Sequence, residues 1–281
     1  MENVRIAGVP EHFNLPWHMA MEEGAFAEKG IALHWTDVPE GSGRMAEMLR
    51  RGETDLAVIL TDGFLKAAAD GLQAVILQEY VASPLLWGIH VAAGSPYHAP
   101  SELKGKVAAI SRPGSGSQLM AYVHAREMEW KPEDVRFEVV HTLDGAIKAL
   151  SEGQAAYFLW ERFTTQPVVD QGVFRRIGQC PTPWPCFILV ARSEYAARHK
   201  ALLDNLREIL NTYTREFRNI PSIDRTLANR YGQRLEDVKS WLGLTRWSQQ
   251  QISLQSLEKT IITLSELKLL SNTINAKDLL V

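Results

Sequence analysis

Arg112 stands in the loop SRPGSGS, between the short apolar run VAAI (residues 107–110) and a stretch whose Leu119, Met120, Tyr122, Val123 and Met128 recur at helical spacing. Its guanidinium is a permanent cation with a planar fork of donors. Gly114 and Gly116 remove the Cβ atoms that would hold a ligand away from the backbone, and Ser115 and Ser117 add hydroxyls. Ser117 reads as the N-cap of the following helix. Strand, Gly/Ser loop and helix together present unpaired N–H groups and a positive dipole end to a small polar ligand. The loop lacks the Gly-Lys-Ser/Thr of a nucleotide-phosphate loop, and GSGS is not the GxGxxG of a dinucleotide site. An ordinary strand-to-helix turn would use the same glycines for backbone geometry alone.

Further residues have types that a polar ligand needs. Glu11 and His12 set a carboxylate beside an imidazole, an acid–base couple or a pair of hydrogen-bonding groups; a solvated surface loop would look the same. Thr61 offers a hydroxyl at a strand tip, and Asp62 follows it in a turn sequence where aspartate is common. Trp160 and Glu161 place an aromatic face beside a carboxylate, suited to stacking plus a hydrogen bond. The alternative is that Glu161 pairs with Arg162 in solvent, where such pairs stabilise little. Trp184, in PTPWP, joins Trp17, Trp87 and Trp160 as tryptophans beside loops, a distribution that favours a flat or ring-shaped ligand.

The sequence has no Gly-x-Ser-x-Gly elbow, no His-Glu-x-x-His and no carboxylates at metal spacing. Ser115, His12 and Asp62 are the residue types of a hydrolytic triad, but nothing in the chain requires their geometry. The two cysteines, Cys180 and Cys186, give neither a zinc spacing nor a disulfide framework and read as reduced thiols. No catalytic residue, metal or cofactor is therefore expected, and the pattern is that of a binder.

The elements that position these residues repeat a strand–loop–helix unit. Strands are predicted at 4–9, 31–38, 55–60 and 74–80, with the loops PEHFNLP, EGSG and TDG leading into helices at 17–23, 44–51 and 64–70. After Ser83-Pro84 an apolar run at 85–93 leads into a second lobe. There strands are predicted at 107–110, 136–141, 155–160 and, as a short edge, 174–177, with helices at 143–152 and 164–171. The run 187–191 carries the chain back, and helical periodicity follows. Leu202, Leu206, Ile209, Leu210, Tyr213 and Phe217 share one face, and Leu254, Leu257, Ile261, Leu264 and Leu267 form a stripe read as core packing. Alternating strands and helices imply α/β lobes with mostly parallel sheets, one comprising 1–86 plus 192–281 and the other 87–191. Loops at the carboxyl ends of such strands would line a cleft.

With 281 residues, 46% of them hydrophobic and 22% charged, the chain has the composition of a globular protein long enough for two lobes. A net charge of −3 argues against nucleic-acid binding through bulk electrostatics. No apolar run approaches the roughly 18 residues of a membrane span, so no membrane insertion is expected. If Met1 is the native start, no room is left for a signal peptide and a cytoplasmic location follows; a removed signal peptide would make it periplasmic.

The segments EEGAFAEKGIAL, LRRGETDLAVILTDG, LKGKVAAISRPGSGSQLMAY, ALSEGQAAYFLWERFTT and PTPWPCFILVARSEY, in that order, resemble the type II periplasmic-binding-protein fold. The likeness is to the nitrate, sulfonate and thiamine-precursor branch of the solute-binding proteins, in particular a subgroup without signal peptides found in bacteria and fungi. It implies a two-lobed, hinged α/β fold with C-terminal helices, and non-catalytic binding of a small polar ligand, anionic or heteroaromatic, in an inter-lobe cleft, as in the substrate-binding proteins of ABC transporters. By position it implies cleft loops at Glu11, His12 and Phe13, at Thr61 and Asp62, from Arg112 to Ser117, and at Trp160 and Glu161. The alternative on the same fold is an enzyme of pyrimidine or thiamine-precursor metabolism, using His12 with Glu11 or Glu161. The fungal thiamine-pyrimidine synthases carry a cysteine-rich segment; here PTPWPCF holds Cys186 nearly alone, which argues against metal-assisted pyrimidine synthesis. The resemblance names no particular transporter or regulatory partner.

Overall fold

The computed structural model describes residues 1–281, the side chain of Pro132 excepted. Residues 1–84 and 184–281 form one compact unit, and residues 85–183 form another. The first unit begins with β1 (Glu2–Gly8), α1 (Leu15–Glu22), α2 (Ala25–Glu28), β2 (Ile31–Asp37), α3 (Ser42–Arg51), β3 (Leu56–Leu60), α4 (Thr61–Ala69) and β4 (Ala74–Val81). The second holds β5 (Leu86–Ala92), β6 (Val107–Ile110), α5 (Gly116–Glu127), β7 (Arg136–Val139), α6 (Leu143–Ser151), β8 (Tyr157–Glu161), α7 (Gln166–Asp170) and β9 (Phe174–Pro181). The chain then adds β10 (Phe187–Arg192) to the first unit, followed by α8 (Ser193–Arg198), α9 (Lys200–Glu216), α10 (Ile223–Tyr231), α11 (Leu235–Leu244) and α12 (Leu254–Glu266).

Each unit is built on a five-stranded sheet, in the orders β2-β1-β3-β10-β4 and β7-β6-β8-β5-β9. In the first, β1 runs parallel to β2 and β3, whereas β10 is antiparallel to both β3 and β4. In the second, β6 runs parallel to β7 and β8, whereas β5 is antiparallel to β8 and β9. The expectation of mostly parallel sheets holds for four strands of each, and one strand in each runs against the others. Those strands, β5 and β10, follow the two passages of the chain between units, so no helical crossover constrains their direction. Both read as largely apolar runs, interrupted in β5 only by His90, because both lie inside a sheet and are covered on each side. The division of the chain at 191/192 would put β10 in the second lobe; its ladders to β3 and β4 put it in the first sheet.

Several local expectations change. Thr-Asp-Gly is not a loop but the opening turn of α4, and Ser42 of EGSG opens α3. The N-cap of α5 is Ser115, whose hydroxyl accepts from Gln118 N–H, and Ser117 lies inside the first turn. The edge strand predicted to end at 177 continues to Pro181 because its whole length pairs with β5. The aliphatic stripes behave as core: Leu206 and Leu210 of α9 and Leu257 and Leu264 of α12 are fully buried. In the second unit Ala109, Ala146, Phe158 and Phe174 form the centre of a cluster under α6.

Candidate functional site

In the second unit, the parallel strands β6 and β8 end beside each other, which brings the Arg112 loop and the Trp160-Glu161 tip to the same edge. A network of hydroxyls shapes that loop. Ser117 Oγ accepts from Ser111 N–H at 2.9 Å and lies 2.9 Å from Ser115 Oγ. Ser115 N–H donates to Arg112 C=O, and Gly114 N–H donates to the side-chain carbonyl of Gln118 at 2.7 Å. Gly114 has φ +77°, the left-handed conformation glycine adopts without strain. Gly116 is required for a different reason: a Cβ there would lie 2.7 Å from the Trp87 ring. The indole thus rests directly on the start of α5, where the first N–H groups have no intrahelical acceptor. Arg112 is exposed, and among the described residues its guanidinium makes no ion pair or hydrogen bond.

Trp87 and Glu161 face each other across β5 and β8, and Cys180 continues the same row on β9. Trp87 is buried, its Nε1–H has no partner among the described residues, and its ring meets Trp160 edge-on at 6.3 Å. Trp160 is half-buried and stacks on Phe158. Glu161 is buried, not solvated: one carboxylate oxygen accepts from Thr164 N–H at 2.6 Å and Thr164 Oγ–H at 2.8 Å. Burial raises its pKa above the usual carboxylate value, opposed by the Thr164 and Phe163 amides. The surface pair with Arg162 expected as the alternative does not describe it.

In the first unit, β1, β3 and β4 end at the edge where β10 begins. Glu11, His12, Phe13, Thr61, Asp62 and Trp184 all come from that edge. His12 is buried, with its ring 4.2 Å from Trp241, 4.9 Å from Phe13 and 5.9 Å from Tyr231. Its Nε2 has no hydrogen-bond partner among the described residues, and burial lowers its pKa to about 3. That leaves the ring neutral at neutral pH and removes it from the solvated loop it resembles in sequence. Phe13 is core as well: its carbonyl accepts from Tyr80 Oη–H at 2.7 Å and Trp247 Nε1–H at 3.1 Å, and its ring packs on Phe187. Glu11, half-buried, is the least enclosed of the three.

Thr61 is fully buried and committed internally, its hydroxyl donating to Pro185 C=O at 2.6 Å and its N–H to Cys186 C=O. Asp62, in the first turn of α4, accepts from Trp184 Nε1–H at 3.3 Å. Both are buried, and desolvation raises the Asp62 pKa against the opposing charge of Lys66 and the indole hydrogen bond. Ser115, His12 and Asp62 belong to different compact units, the first to one and the other two to its counterpart. The partners that sequence reasoning leaves out are Tyr231, Trp241 and Trp247, more than 200 residues beyond His12, for which no local spacing gives a signal. Trp87 has one, since it begins the second unit just after a Ser-Pro break. Within the second unit a cavity of about 800 Å³ lies elsewhere, among Tyr97, Lys106, Arg136 and Gln154 at the amino ends of the parallel strands, and includes none of the residues above.

The architecture is that of the periplasmic binding proteins. The family described as Ca3427-like PBP matches residues 87–180, close to the extent of the second unit. The Candida albicans CA3427 gene product, described as exhibiting the generic periplasmic binding protein fold, superposes with a TM-score of 0.89 at 23% identity, over 100% of this chain and 96% of its own. The alkanesulfonate-binding protein SsuA of Xanthomonas axonopodis pv. citri, bound to MOPS, gives 0.82 at 17% identity, covering 99% and 98%. The periplasmic aliphatic sulphonate-binding SsuA of Escherichia coli gives 0.78 at 19%, covering 100% and 92%. No curated protein matches in sequence. Among the described residues no helix is long and apolar enough to cross a membrane.

Proposed function

We propose that this protein binds, without chemical turnover, a small polar ligand bearing an anionic group, which is taken up by the Arg112 loop at the carboxyl edge of the second unit's sheet. The observation that carries the reading is the exposed Arg112 guanidinium, with no partner among the described residues, three positions before the cap of α5. Arg112 and the free amides at the start of that helix form a cradle for a sulfonate, carboxylate or similar head group. Trp160, half-buried at the same edge, covers an apolar or ring portion. Fold relatives named for alkanesulfonate and aliphatic sulphonate binding fit that chemistry.

The enzyme alternative draws less support from the same side chains. His12 is enclosed by aromatic rings, and Glu161 is occupied by Thr164. Neither is poised to exchange a proton with a ligand.

Calorimetric titration with an alkanesulfonate, a carboxylate and a neutral analogue tests the proposal. Saturable binding of an anionic member is expected, and Arg112→Ala should weaken it roughly ten- to hundredfold, the scale of a charge-assisted hydrogen bond. An unchanged affinity in that variant refutes the anion cradle. The bound compound should also be recovered intact after incubation with and without iron; a product would move the assignment to an enzyme.

A further inference from the structure

A second group of ligand-type side chains lies in the last turn of α5. His124 and Glu127, three positions apart, share a helix face, and Cys180 of β9 approaches them from the sheet. One donor atom of each lies within 4.8 Å of the other two. Cys180 Sγ–H donates to a Glu127 carboxylate oxygen at 3.4 Å. His124 is 3% exposed and Cys180 fully buried, whereas Glu127 reaches solvent. The independent sign of a ligand is His124 Nε2, enclosed and without a hydrogen-bond partner among the described residues.

We propose that His124, Glu127 and Cys180 form a site for one borderline divalent transition-metal ion, with Zn²⁺ as the natural occupant. Nitrogen, thiolate sulfur and carboxylate oxygen together are a zinc-type donor set, and alkaline-earth ions would reject the sulfur. Metal–ligand bonds of the usual length require donors roughly 3.3–3.8 Å apart around a tetrahedral centre. The Cys180 and Glu127 donors already stand 3.4 Å apart, so the set closes only at the imidazole, by at most about 1.5 Å, within reach of side-chain rotation. On binding, Cys180 gives up its proton to solvent and replaces the hydrogen bond to Glu127 with a bond to the metal. The exposed position of Glu127 leaves the fourth coordination site to water. This site is separate from the Arg112 cradle, roughly 12–16 Å along α5 from its first turn by helix rise, and owes nothing to the anion-binding proposal.

Titration of the purified metal-free protein with Co²⁺ reads the site directly, because a cobalt–thiolate bond gives a charge-transfer absorption that nitrogen and oxygen donors do not. One equivalent should bind with that band, Zn²⁺ should displace it, and Zn²⁺ should raise the melting temperature. Cys180→Ser should abolish the band, while Cys186→Ser, which alters the buried thiol of the other unit, should leave it. Glu127→Gln, a change at an exposed position, should weaken Co²⁺ binding at least tenfold and serves as the arbiter if Cys180→Ser does not fold. The site is refuted if no stoichiometric binding occurs, if the band survives in Cys180→Ser, or if Glu127→Gln binds as tightly as the parent.

Discussion

At the scale of single residues, the side chains divide by whether the chain itself satisfies them. Thr61 and Glu161 carry attractive functional groups, but the Thr61 hydroxyl donates to a neighbouring carbonyl and one Glu161 oxygen already accepts twice from Thr164. Arg112 is not so engaged, which is why the binding reading rests on it. Asp62 is intermediate, buried yet joined to Trp184 by one indole hydrogen bond. Its pKa is raised above 3.8 by desolvation, so between that value and the native one the folded chain holds a proton the unfolded chain has lost. Stability from this group is therefore present at low pH and declines as pH rises through the window. Asp62→Asn keeps an oxygen acceptor for the indole and should remove that decline. Denaturant melts from about pH 3 upward measure it, and parallel curves for the two proteins would contradict the assignment.

At the scale of elements, α5 carries the most. Its start is set by Ser115, its approach to the sheet by Gly116, and the turn before it by Gly114. The two glycines should respond differently to alanine. Gly116→Ala drives a methyl into the buried Trp87 ring, an overpacking cost of about 1–3 kcal/mol, and shifts the indole emission. Gly114→Ala meets open space and bears only the strain of a left-handed φ, about 1–2 kcal/mol, with tryptophan fluorescence unchanged. Equal fluorescence changes in both variants would mean Trp87 does not rest on the helix as described.

At the scale of the whole molecule, each unit encloses a neutral histidine, His12 among aromatic rings in the first and His90 on β5 in the second. Burial holds His12 at about 3 and His90 at about 4, against 6.5 in the open chain. Each must take up a proton on unfolding below about pH 6, so each contributes stability that is full above 6.5 and falls as pH drops toward its native value. Together they should cost on the order of a few kcal/mol by pH 4. His12→Phe, placing an uncharged ring among Phe13, Trp241 and Tyr231, should flatten the acid limb of the stability profile for the first unit. A limb of undiminished slope would exclude His12 as a source.

The sequence by itself determined the α/β class, the strand–loop–helix repeats and the Arg112 loop, because those depend on short-range patterns of apolar runs, glycine and helical period. It also determined the aliphatic stripes of α9 and α12, whose 3.6-residue period admits one buried face. Only the tertiary structure decided that β5 and β10 run against their neighbours, since an apolar run buried on both faces carries no sign of its direction. It likewise decided that His12, Phe13 and Glu161 are enclosed. Their surroundings come from Trp241, Trp247 and Tyr231 or from a turn closing on itself, and a residue's solvation is fixed by partners its own neighbourhood does not encode. The meeting of His124, Glu127 and Cys180 is of the same kind: two positions share a helix face by spacing, and the third arrives from a strand 53 residues away.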